Sequence, residues 1–205
     1  MLGTGSARPE VPRPPPRPPP AADNGHAMRV RRTRSIRVPA GVPAGVLATI
    51  TMDVAMVAAE GLGGGACTSE RLGPDMIGRW ADGVARGRWH LDDVASEPAR
   101  RGELALGLLT HYATGIILTQ AFVLLPRRGR GRPSLAAGTA FGIATAALPL
   151  LVMFPSMGYG FLGLRSGDAA RLTRIMLLGH TAFGVGIGLW APRFAERGAR
   201  PRSAP

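Results

Sequence analysis

The sequence predicts an all-α membrane protein with four transmembrane helices, and two observations support this prediction. The apolar residues are concentrated in four blocks rather than spread at amphipathic spacing. Each block approaches the roughly 20 residues that a helix needs to cross a bilayer. The mean hydropathy is only +0.10, because Arg-, Pro- and Gly-rich flanks dilute the four blocks.

The basic residues are all arginine, 25 in number, and the formal net charge is +12. No basic helix face with interleaved aromatic residues is present, so we expect the bilayer as partner and no nucleic acid. The bias toward Arg, Ala, Gly and Pro is typical of GC-rich coding and indicates a bacterial protein. Cys67 is the sole cysteine, which excludes an intramolecular disulfide.

The chain divides into a tail, a membrane domain and a second tail. Residues 1–37 are rich in Pro and Arg and are predicted to be disordered, and Met28 is an alternative start just before the first apolar block. The membrane domain is predicted at 38–194, and a basic tail at 195–205. Its predicted spans lie at about 40–62, 104–125, 135–154 and 175–191.

Small residues recur at four-residue spacing within the spans. In span one the spacing includes Thr49 and Asp53, which predicts that this face packs against another helix. The same glycine-rich faces could also pair copies of the chain, so a homo-oligomer is a further expectation. The small residues at this spacing are Gly41, Gly45, Gly138, Gly142, Gly184 and Gly188.

A polar connection of about forty residues separates spans one and two. Apolar residues from Leu72 to Val84 recur at helical spacing and predict an amphipathic helix at the membrane interface, with Trp80 and Trp89 able to sit there. His90 lies among residues of metal-ligand type, but they are adjacent in sequence, which favours a solvated turn. Glu103 opens span two, where the helix dipole favours a carboxylate.

Prolines and glycines mark the end of span three. Pro149 lies inside the span and is predicted to kink it. The stretch that follows includes Pro155, Gly158 and Gly160, and it resembles a potassium-filter sequence without the pore helix that such a filter requires. A turn whose glycines adopt positive φ is the simpler interpretation.

The arginines predict the orientation of the spans. Eight precede span one, four lie between spans two and three, and four follow span four, so all sixteen fall on one side of a four-span protein. The positive-inside rule places that side, with both termini, in the cytoplasm of a bacterial inner membrane.

Spans two and four share the pattern LLxHxxxG, around His111 and around His180. Spans one and three resemble each other more weakly, as GVLAT and GIAT. One interpretation is a duplicated two-helix hairpin with both copies in the same orientation. Chance similarity between low-complexity apolar segments is the other.

Asp53, His111 and His180 are predicted to lie at similar depth, roughly 8–14 Å below the outer surface at ~1.5 Å per residue. An ionisable residue inside a span is costly and faces protein or water. A proton- or ion-coupled path, a haem or metal site that uses both histidines, and hydrogen bonds that only hold helices together are the three alternatives. No metal is assigned from the sequence.

Several of these residues also carry a resemblance to a known family. Residues from about 36 to 194 resemble a family of small four-span bacterial inner-membrane proteins defined only as a domain of unknown function. The resemblance implies the fold and the membrane but no activity. It rests on Gly45, Ala48, Thr49, Met52, Asp53, Arg86, Gly87, Arg88, Trp89, Glu103, Gly107, His111, Tyr112, Gly115, Pro149, Met153, Pro155, Met157, Gly158, Gly160, His180 and Gly184.

The sequence leaves the reaction and the ligand open. It contains no G-x-S-x-G, H-E-x-x-H or phosphate-loop motif, which disfavours the hydrolase and nucleotide chemistry of soluble enzymes. Transport or the binding of a small ligand or ion is the first hypothesis. A membrane-embedded haem or metal protein or enzyme is the second, and a structural or partner-binding membrane protein is the third. The cofactor is left unassigned.

Overall fold

The computed structural model describes residues 37–63, 72–125 and 134–199. They form five helices: α1 (Arg37–Gly63), α2 (Pro74–Ala85), α3 (Glu103–Leu124), α4 (Leu135–Thr145) and α5 (Ala169–Ala199). Short 3₁₀ turns lie at Val94–Ser96 and Phe161–Gly163. The predicted disordered tail up to residue 36, the basic turn at 126–133 and the last six residues lie outside the described residues.

Four stretches are long and apolar enough to cross a membrane: Gly41–Ala59, Glu103–Leu124, Leu135–Ser156 and Ala169–Ala195. No strand occurs in the ranges that the structure describes. The prediction of an all-α membrane fold with four spans is therefore confirmed.

The predicted small face of α1 packs against α3. A side chain at Gly45 would place its Cβ 2.7 Å from Ile116 Cα, and one at Gly115 would lie 2.0 Å from Thr49 Oγ1. Only glycine permits helix backbones to approach this closely. The spacing of Gly41, Gly45, Thr49 and Asp53 therefore predicted the buried face correctly.

Helices α4 and α5 meet through a second glycine contact. A Cβ at Gly142 would lie 2.3 Å from His180 O and 2.5 Å from Gly184 Cα, and Gly138 approaches Gly188 in the same way. Both glycine faces are thus used inside one chain. A homo-oligomer through glycine-rich helix faces stays a prediction.

The four long helices are arranged in the order α3, α1, α5, α4. Helices α1 and α5 pack along their lengths, and Gly186 lies against Ala48. Helices α3 and α4 meet where the rings of Phe122 and Phe141 are 5.2 Å apart, and in the described residues they share little other contact.

The two hairpins that the repeat predicts are present as α1–α3 and α4–α5. Their crossings use equivalent residues, because Gly115 and Gly184 each follow the repeat histidine by four positions and each contacts the preceding helix of its hairpin. The symmetry is incomplete, because α1 packs along α5 whereas α3 and α4 share little contact in the described residues.

Helix α2 is amphipathic, as predicted, and crosses the first turns of α3. A Cβ at Gly107 would lie 1.6 Å from Pro74 O, and one at Gly78 would lie 1.8 Å from Glu103 O. The indole N–H of Trp80 donates to Ser156 Oγ at 2.8 Å. Trp89 is exposed. Helix α2 is thus fastened to the ends of both α3 and the third span.

The third span changes from α-helix to π-helix at Pro149, the residue that was predicted to kink it. Helix α4 ends at Thr145, a π-helical turn covers Pro149–Met153, and one last helical turn covers Phe154–Ser156. The proline lacks the N–H that an α-helix would use, and the wider turn accommodates its ring.

The fourth span is longer than the predicted 175–191. The prediction stopped at arginines, but α5 runs from Ala169 to Ala199 and includes the first residues of the predicted tail. Long arginine side chains can lie along a helix with their charge turned toward water. Arg193 does so, with its guanidinium 5.5 Å from the centre of the Trp190 ring.

Candidate functional site

Asp53 is held by two neighbouring residues of α3. His111 Nε2 lies 2.8 Å from Asp53 Oδ1, and the Tyr112 hydroxyl donates to Asp53 Oδ2 at 2.8 Å. Successive helical residues diverge by about 100°, so His111 and Tyr112 reach the carboxylate from its two sides. Both carboxylate oxygens of Asp53 therefore have a partner.

His180 makes a separate contact on the other hairpin. Its Nδ1 lies 3.0 Å from Thr145 Oγ1, while the Thr145 hydroxyl donates to Gly142 O at 2.7 Å. A hydroxyl has one hydrogen, and a carbonyl only accepts, so Nδ1 of His180 must be the donor to Thr145. This assignment leaves Nε2 as the acceptor nitrogen of the neutral imidazole.

The two contacts border one cavity of about 490 Å³. Asp53, His111 and His180 all line it. Asp53 and His111 bond to each other, whereas His180 bonds to Thr145. Among the described residues, no three His, Cys, Asp or Glu side chains cluster as metal ligands. The rest of the lining is mostly apolar and includes Met52, Met56, Met153, Met176, Leu118 and Phe183.

The cavity lies between α3 and the part of the third span that follows α4. Residues at its edge are largely exposed: Leu108 on α3, and Leu148 and Val152 on the third span, with exposed fractions of 42%, 47% and 61%. Pro74, Ile77 and Trp80 close the end nearest α2. The cavity is therefore reached from the side of the molecule.

Arg79 is an important residue that the sequence analysis did not single out. It is buried on α2 and makes two hydrogen bonds to Glu103, at 2.9 and 3.1 Å, and others to Val94 O and Glu97 O. The bonds to Glu103 raise the pKa of the guanidinium above its ordinary value. A signal was present: Arg79 follows Leu72 by seven positions and Met76 by three, which places it on the apolar face.

The comparison with protein families decides where the chain belongs. The family model described as "Protein of unknown function (DUF2938)" matches residues 42–193, about three quarters of the chain. The chain belongs to this family. The comparisons with curated proteins and with solved structures find no match. Family membership therefore confirms the resemblance seen in the sequence and adds no activity.

The remaining predicted residues of this DUF2938 chain fall into three groups. Pro149 lines the cavity, and Tyr112 and Glu103 take part in the contacts described above. His90 lies exposed in the loop before the Val94–Ser96 turn, where Asp93 accepts from Ala95 N as a cap. His90 thus lies in a solvated turn, away from the cavity lining.

Pro155 lies in the last helical turn of the third span, and Gly158 and Gly160 follow it in a cap formed by two loops. Gly158 has a φ of +91° and Gly160 a φ of +72°, the positive values that the sequence predicts for this turn. A Cβ at Gly158 would lie 2.1 Å from Asp92 O, so the two loops meet there. Backbone bonds from Leu91 N to Ser156 O and from Val94 N to Met157 O complete the cap.

Proposed function

We propose that this multi-pass membrane protein binds, and transports or senses, a small ligand in the cavity between its two hairpins. The observation that supports this function is that Asp53, His111 and His180 line one apolar cavity within the spans. A cavity of about 490 Å³ is in the range of small-molecule sites, which are mostly apolar with a few converging polar groups.

The chemistry of the lining favours a ligand with an apolar body and a cationic or hydrogen-bond-donating head. Asp53 is the acidic side chain of the cavity, and its carboxylate is 38% exposed despite its two partners. A carboxylate at membrane depth is stabilised by a counter-charge. A ligand cation would add to the stabilisation that His111 and Tyr112 provide.

The membrane and the orientation are part of the proposal. The arginine distribution favours a bacterial inner membrane with both termini in the cytoplasm. In that orientation α2, the cap loops and the cavity lie toward the outer face. The exposed edge of the cavity, between α3 and the end of the third span, then faces the outer half of the bilayer.

Binding of tetraphenylphosphonium, a lipophilic cation, tests the proposal. The full-length protein in lipid nanodiscs is titrated with this probe by equilibrium dialysis. We expect saturable binding that is lost in Asp53→Asn, because the amide keeps the shape of the side chain and removes its charge. Asp92→Asn, an exposed change in the cap loop, is the matched control and should bind normally.

Equal, unsaturable uptake by the wild type and Asp53→Asn would reject the proposal. The structural alternative is favoured instead by two results together. The wild type binds no probe, and the Asp53→Asn protein folds but is less stable than the wild type. Flux of the probe into proteoliposomes separates transport from binding. An absorption spectrum of the purified protein tests the haem alternative, which requires a Soret band that His111→Ala and His180→Ala abolish.

A further inference from the structure

The cavity wall between α1 and α5 is rich in methionine. Of the chain's eight methionines, four line the cavity: Met52, Met56, Met153 and Met176. Met52 and Met56 are four residues apart on α1, and Met176 and His180 are four residues apart on α5. Residues at this spacing share a helix face, so each helix presents a pair of side chains on one face.

The pair on α1 reaches α5 at Gly179, the residue next to His180. A Cβ built at Gly179, next to His180, would lie 2.9 Å from Met56 Sδ and 3.4 Å from Met52 Cε. Met56 packs against the apolar cluster that contains Met176 and also against the one that contains Met52. The absence of a side chain at Gly179 is thus what lets these thioethers reach the helix that carries His180.

His180 is oriented as metal-binding histidines are. Nδ1 donates to Thr145, whose own hydroxyl hydrogen bonds to Gly142 O, and this leaves the lone pair of Nε2 for another partner. A ligating histidine nearly always donates its second ring N–H to such an outer partner, which fixes the ring and its tautomer. The imidazole is also buried, with 8% of its surface exposed.

We propose that Met52, Met56, Met176 and His180 form a binding site for a soft monovalent metal ion, Cu(I). Thioether sulfur and imidazole nitrogen are soft and borderline ligands, and they select Cu(I) over Mg²⁺ or Ca²⁺, which need oxygen. The neutral ligands leave a single positive charge at the site, in the same cavity as Asp53. This site does not depend on the ligand proposed above.

Competition with a coloured chelator measures the affinity of the site for Cu(I). Full-length Cys67→Ser protein, which removes the one thiol, is titrated anaerobically with Cu(I) against bathocuproine disulfonate in detergent. We expect one equivalent of Cu(I) bound, and X-ray absorption should show both sulfur and nitrogen neighbours. Thr145→Val should weaken binding by about 10- to 100-fold, the range for losing an outer partner of a ligating histidine. The ligand changes Met56→Leu and Met176→Leu should weaken it at least as much.

Leucine replaces methionine at nearly constant volume, so these variants are expected to fold. Met76→Leu is the matched control, because Met76 lies on α2 and is not among the residues that line the cavity. It should bind Cu(I) as the parent does. The site is rejected if the Cys67→Ser protein binds no stoichiometric Cu(I), or if the Met52→Leu/Met56→Leu/Met176→Leu triple variant binds as tightly. A spectrum without sulfur neighbours in the parent would reject it even if a variant failed to fold.

Discussion

At the scale of single residues, Asp53 depends on two donors from α3. Each of these hydrogen bonds to Asp53 takes the place of a hydrogen bond to water, because the interior of a membrane does not supply water. The tyrosine is the simpler of the two donors to test, because phenylalanine retains the ring that packs beside His111 with centroids 5.6 Å apart.

We predict that Tyr112→Phe lowers the free energy of unfolding by about 1 kcal/mol, the usual size of a side-chain hydrogen bond between membrane helices. Denaturation in mixed micelles, followed by circular dichroism, measures it. Thr181→Val is a suitable control, because Thr181 is half-buried and its hydroxyl donates to Leu177 O of its own helix rather than to another helix. A Tyr112→Phe protein as stable as the control variant would mean that the bond to Asp53 contributes nothing net.

At the scale of the elements, α2 is positioned by a backbone contact with α3. The contact at Gly107 leaves no room for a methyl group, so α2 must move if one is added. We predict that Gly107→Ala destabilises the protein by about 1–3 kcal/mol, the range for overpacking, and exposes the α2 segment to protease. Gly61→Ala is the control, since a Cβ there meets nothing within 4 Å.

Limited proteolysis followed by mass spectrometry locates the cleavage. Cuts confined to the connection between α1 and α3 in Gly107→Ala, and absent from Gly61→Ala, would agree with the prediction. Identical digestion of the two variants would show that α2 does not rely on this crossing.

The loop that follows α2 contains a contact that responds to pH. Arg88 donates to Glu97 at 2.8 Å, and this bond holds the pKa of the Glu97 carboxyl below its ordinary value of 4.5. A lowered carboxyl pKa contributes stability that is full above the unfolded-state pKa and is lost as the pH falls through the lower, folded-state value. The pair therefore stabilises the loop at neutral pH and not in strong acid.

We predict that Arg88→Gln removes this part of the acid dependence. Hydrogen exchange of the loop amides, measured from neutral pH to below 4, should show protection falling with pH in the wild type and less so in Arg88→Gln. The effect should shrink at high salt, because the Arg88 side chain is solvent-exposed and its interaction with the half-buried Glu97 is partly screened. An unchanged pH profile in Arg88→Gln would assign the acid response to other groups.

At the scale of the whole molecule, the sequence predicted the number of spans and which faces pack. The four-residue spacing of Gly41, Gly45 and Thr49 was sufficient, because in lipid small residues mark close contacts. The order of the helices could not be predicted in this way. Apolar side chains pack about as favourably against lipid as against protein, so hydropathy does not predict which spans are neighbours.

The candidate site was predictable in its residues and not in its geometry. A histidine and an aspartate inside apolar spans are conspicuous, whereas Thr145 and Met56 look like ordinary span residues until α1, α4 and α5 are seen together. Arg79 was missed for a different reason: a charged residue in a polar connection is normally solvated, and its burial depends on Glu103 being within reach.

The exposed edge of the cavity, between α3 and the end of the third span, has a consequence for the proposed function. In a bilayer, the acyl chains of neighbouring lipids would form the wall of the cavity on this side. The usable volume then depends on the length and unsaturation of those chains, and a detergent tail would occupy the same place. Affinities measured in micelles and in bilayers of different thickness should therefore differ, and the membrane itself becomes a variable that sets the specificity of the site.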